Sequence, residues 1–160
     1  MRNDYPSIRP FMSQYEKKWH EIQKIDPKDY LELFKEKADL IIIATRDLEV
    51  NQVNGITLYV RLMFYVLNLN DQFDQNIYQK NKDLLSTAIG YDVTFDEAER
   101  FAKIASKESN RISDFVEEIK SLFNRIPEEI KEDIITFCLI LGCKERRPTF
   151  KVRTFLSRLY

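Results

Sequence analysis

The chain has one histidine, His20, beside Trp19, and two cysteines, Cys138 and Cys143. A metal site on helices needs His or carboxylate ligands one turn apart, or closely spaced thiolates. No His-x-x-His, Glu-x-x-His or Cys-x-x-Cys spacing occurs. Cys138 and Cys143 are too few for a disulfide framework. A spacing of five also turns them about 140° apart on a helix, so they do not face each other. Inside the apolar run Ile134–Cys143 they read as buried free thiols, which fits a reducing compartment. A nucleophilic triad would have to recruit His20 from an amphipathic face. Phosphate-cradling loops need more glycine than the three this chain has. The carboxylate pairs Glu128/Asp133 and Asp96/Glu99 are accounted for as solvated helix faces. No catalytic residue, metal ligand or cofactor is therefore expected, and the balance leans away from an enzyme.

Two sets of residues could instead meet a partner. Residues 144–158 carry Lys144, Arg146, Arg147, Lys151, Arg153 and Arg158 against Glu145, a balance of +5. Residues 92–133 carry twelve acids and seven bases, a balance of −5. The basic end, with Phe150, Phe155 and Tyr160 interleaved, could contact phosphates or an acidic protein. It could equally dock on the chain's own acidic region. The second set is aromatic: Tyr5, Tyr15 and Trp19 form a candidate surface, and with Phe11 and, further along, Phe64 and Tyr65 they are numerous for 160 residues, most of them expected in the core.

The elements that must position these residues follow from periodicity. Phe11, Tyr15, Trp19, Ile22 and Ile25 mark one face of a helix. Asp26-Pro27 then starts a second helix that turns Tyr30, Phe34, Ala38 and Ile41 inward. Ile56–Leu69 is a fourteen-residue run with one charge, Arg61, and its length favours a buried helix. Asp74 caps a helix closed by Gly90, and Thr94-Phe95-Asp96-Glu97 is a capping box. Apolar spacing then continues from Ala98 to Ile126, with a kink or break at Ser106–Asn110. Pro127, as a first-turn residue, opens another helix that ends before Gly142, and Pro148-Thr149 opens the last. A minority α+β reading pairs Leu40–Ala44 with Ile56–Val60 as a hairpin about Asn54-Gly55, the strongest short hairpin dipeptide.

Glycine, at three residues in 160, leaves few positions for the tight turns of sandwiches and barrels. With 44% hydrophobic and 12% aromatic residues the chain can bury a core. The expected fold is all-α: one domain over residues 1–160, a bundle of six or seven helices. A net charge of −1 excludes a uniformly basic nucleic-acid binder. No apolar stretch reaches the ~18–20 residues that would span a bilayer, and no signal peptide is visible. A cytoplasmic protein is expected.

The segment Leu62–Asp74, with its Asn70-Asp71-Gln72-Phe73-Asp74 turn, resembles the TerB-like helical family of tellurite-resistance proteins and DnaJ-type co-chaperones. Phe95-Asp96-Glu97-Ala98 resembles that family's mid-domain helix start, and Leu141–Glu145 followed by Phe155-Leu156 resembles a second copy of the turn. The similarity covers about residues 56–160. It implies a helical fold and a partner-binding role. The turn lacks the family's glycine, Ile77 stands where an acid is expected, and the second copy is basic. The implied metal site would retain only Asp71 and Asp74, too few for a hard cation.

Three functions stay open. The leading one is a non-enzymatic protein-protein interaction or adaptor module. The others are a nucleic-acid binder using residues 144–158 and a small helical enzyme or ligand carrier with a pocket between helices.

Overall fold

The computed structural model describes residues 17, 20–22, 24–141 and 149–159. Among the described residues the chain forms seven α-helices: α1 (Pro27–Thr45), α2 (Gly55–Asn70), α3 (Gln75–Ile89), α4 (Phe95–Ser106), α5 (Ile112–Phe123), α6 (Glu128–Ile140) and α7 (Phe150–Ser157). A 3-10 turn (Lys107–Arg111) links α4 to α5, and a hairpin of β1 (Glu49–Val50) and β2 (Val53–Asn54) links α1 to α2. The all-α expectation holds.

Helix α2 is the hub because it has no polar side to turn outward. Leu58, Tyr59, Leu62, Met63, Phe64, Tyr65, Val66 and Leu67 are all buried, and α1, α4, α5, α6 and α7 pack around it. A helix apolar on nearly all sides is stable only inside such a cage. On α1, Phe34, Ala38 and Ile41 point inward as their spacing requires, and the Phe34 ring meets Phe137 of α6 at 5.0 Å. The buried apolar residues from Ile22 to Leu159 form one cluster.

The helix boundaries follow local chemistry. The Asp74 carboxylate accepts from the Ile77 amide at 2.9 Å, and Gly90 closes α3 in the left-handed region at φ 95°. Thr94 and Glu97 complete the capping box of α4. The long apolar repeat breaks at Ser106, where the 3-10 turn redirects the chain. Pro127 stands one residue earlier than expected, as the N-cap of α6 rather than inside its first turn.

The minority hairpin is corrected in register and extent. Leu40–Thr45 and Gly55–Val60 are helical, and the strands are only two residues each. The turn is Asn51-Gln52, both at positive φ (51° and 68°), which matches the twist of a two-residue hairpin loop. Asn54 is the N-cap of α2 instead: its side chain accepts from the Ile56 amide at 2.8 Å and donates to the Arg46 carbonyl at 2.9 Å. Gly55 is needed for close approach, since a Cβ there would lie 2.4 Å from the Thr45 carbonyl oxygen.

Candidate functional site

The residues singled out from sequence scatter. Lys144, Arg146, Arg147, Tyr5, Tyr15 and Trp19 lie outside the described residues. Lys151 on α7 and Arg158, just past its end, are exposed, while Arg153 is half-buried with its guanidinium 6.0 Å from the Phe150 ring. Phe150 is 72% exposed. Helix α7 docks through apolar contacts: Phe155 stacks on Phe115 at 6.3 Å and meets Tyr65 at 4.8 Å. Asn70 fixes its start, donating to the Leu141 carbonyl and accepting from the Thr149 hydroxyl. Phe64 and Tyr65 are core residues. Cys138 is fully buried, which pushes its thiol well above the ordinary range. Among the described residues no group of three or more His, Cys, Asp or Glu is placed to hold a metal ion. No helix of the described residues is long and apolar enough to cross a membrane.

What the tertiary structure assembles is a groove. Helices α2 and α4 pack against each other: the Asn68 amide donates to the Ala102 carbonyl at 2.9 Å, and the Phe64 and Phe101 rings meet at 5.4 Å. The first turns of α2 are less covered than the rest. There Ile56, Thr57, Val60 and Arg61 face Phe101 and Ile104 of α4 across a cavity of about 290 Å³. Ile89, at the end of α3, and Tyr91, just past it, form the third wall. Gly90 makes the turn that carries Tyr91 there, and the loop is held by Tyr78 Oη donating to the Val93 carbonyl at 2.6 Å. Tyr91 and Ile104 are each 46% exposed, so the rim is apolar and open to water. Burial, with Glu97 close by, pushes the Tyr91 hydroxyl above its ordinary range, so it stays protonated and able to donate.

One end of the groove is polar. Arg61 lines it, and its Nε is shut off from water without a hydrogen-bond partner. An unsatisfied buried donor costs about 1–3 kcal/mol. Beside it lies a cluster of charges that joins the hairpin, the 3-10 turn and α5. Arg111 donates through Nη1 to Glu108 at 2.8 Å and to Glu118 at 3.2 Å, and through Nη2 to the second Glu118 oxygen. Asn51, at the hairpin tip, donates to Glu118 at 3.3 Å. Burial pushes the Glu118 carboxyl up, but the hydrogen bonds from Arg111 and Asn51 and the charges of Arg111 and Arg61 outweigh it and hold it below the usual range.

Periodicity did not reveal this groove, because its walls come from three helices. Arg61 was the available signal, as the one charge in an otherwise apolar run. No protein-family model, curated protein or solved structure matches the chain.

Proposed function

We propose that the chain is a non-enzymatic helical interaction module that binds a partner protein through the α2–α4 groove. The observation that carries this reading is the open apolar rim of Tyr91 and Ile104 over Ile56 and Val60. Concave sites lined mainly by apolar side chains with a few polar groups are where proteins take up ligands and partner side chains. At about 290 Å³ the groove falls just below the range for drug-sized ligands, roughly 300–1,000 Å³, and suits one or two inserted side chains. A cytoplasmic setting belongs to the same reading, in keeping with the buried Cys138 thiol.

The test compares the wild-type chain with Ile104→Glu, by affinity capture and size-exclusion chromatography. A partner retained by the wild type and lost by the variant, with an unchanged melting curve, supports the module. A partnerless monomer that turns over a compound in a metabolite panel would overturn it.

Phe150, exposed beside Arg153 and Lys151 at the start of α7, favours a second reading, nucleic-acid binding by the basic end. It expects salt-sensitive binding that weakens in Lys151→Glu/Arg158→Glu and in Arg146→Glu/Arg147→Glu. No shift with DNA or RNA at low salt removes it.

A further inference from the structure

The apolar walls of the groove leave its Arg61 end unexplained. A guanidinium has five donors and does not deprotonate, so it needs acceptors wherever water cannot reach. Arg61 has none among the described residues: its Nε is unpartnered, and it makes no ion pair. The neighbouring acids are already engaged, Glu118 by Arg111 and Asn51 and Glu108 by Arg111. Arg61 acts on Glu118 only through space. The formal charges of Glu108, Glu118, Arg111 and Arg61 cancel. The Nη donors, unlike Nε, are not shut off from water, and a carboxylate can accept from both of them in the plane of the guanidinium.

The length of the groove narrows the source of that carboxylate. The apolar part of the α2 wall, from Ile56 to Val60, rises about 6 Å at 1.5 Å per residue, and Arg61 follows it. Apolar side chains at i and i+4 of a docked helix are also about 6 Å apart along its axis, which leaves the next turn of that helix within reach of the long Arg61 side chain. We propose that the groove takes an amphipathic helix of a partner protein, with apolar anchors at i and i+4 and an Asp or Glu one turn beyond, received by Arg61. This inference rests on the groove being the partner-binding face.

The probes are helix-stapled peptides of about four turns, with Leu at i and i+4 and Glu, Gln or Lys one turn beyond, made with that residue on either side of the anchors. Fluorescence anisotropy reads their affinity for the wild type, Arg61→Lys, Arg61→Met and Ile104→Glu, each checked by thermal melting. The Glu peptide is expected to bind the wild type about tenfold more tightly than the Gln peptide, equivalent to about 1.4 kcal/mol. That preference shrinks in Arg61→Lys, which keeps the charge without the fork, and vanishes in Arg61→Met. Ile104→Glu weakens Glu and Gln peptides alike. Equal affinity of Glu and Gln peptides for the wild type, both weakened by Ile104→Glu, overturns the role of Arg61 and leaves the groove reading standing. Binding that ignores Ile104→Glu, or no binding by any peptide, overturns the inference. Sodium dodecanoate is the remaining arm: Arg61-dependent binding of it, without helix binding, overturns both readings in favour of a small lipid carboxylate.

Discussion

Replacing Arg111 with Met tests the polar cluster that ties the hairpin to the helices. Glu108 and Glu118 are only 6% and 5% exposed, and Arg111 is the shared donor between them. Without it, Glu108 loses its cation, and Glu118 keeps only the Asn51 amide and the more distant charge of Arg61. Removing one partner of a buried pair costs about 3–5 kcal/mol, because a charge is left buried and uncompensated. The Arg111 side chain is 37% exposed, so water reaches part of the vacated space and the lower end, about 3 kcal/mol, is expected. For a domain of this size that lowers Tm by roughly 6–12 °C. Urea denaturation should show a reduced midpoint with an unchanged m value.

The pH dependence supplies a second check. The Glu118 carboxyl is held below its unfolded value, about 4.3. Its contribution to stability is therefore fully present above that pH and is lost as pH falls through the folded value. The deficit of Arg111→Met should accordingly be largest near neutrality and shrink in acid, where protonation removes the uncompensated charge. Adding Glu118→Gln to Arg111→Met should recover about 1 kcal/mol, for the same reason. A loss under about 0.5 kcal/mol, typical of an ordinary surface substitution, would refute the reasoning, as would a loss independent of pH.

Three further outcomes are expected. Gly55→Ala should destabilise by about 1–3 kcal/mol in urea denaturation, because the new Cβ meets the Thr45 carbonyl and α1 must move from α2. Gln52→Gly should stabilise by up to about 1 kcal/mol, since it relieves a left-handed residue at φ 68°, whereas Gln52→Val should destabilise. In a Cys143→Ser background, Cys138 should resist a disulfide reagent until the chain unfolds, because burial pushes its thiol pKa up and blocks access.

Much of the helical framework was legible because it is written in local spacing and capping chemistry. Phe34, Ala38 and Ile41 repeat at the helical period, Asp74 and Thr94 supply acceptors for orphan amides, and Gly90 takes the left-handed residue that ends α3. Asn54-Gly55 misled for a physical reason. The same two residues serve a tight turn or a helix start, and the choice depends on whether Thr45 of α1 comes close enough to exclude a side chain at 55.

By itself, then, the chain's sequence determined the all-α class, a buried apolar helix over Ile56–Leu69 and most helix ends, since each depends on neighbours within a few residues. Only the tertiary structure decided the groove and the charge cluster beside it. Ile56, Ile89, Tyr91 and Ile104 are up to 48 positions apart in sequence, and Asn51 reaches Glu118 across 67 residues. Contacts at that separation are set by the packing of α2, α3 and α4, and no periodicity along the chain encodes them.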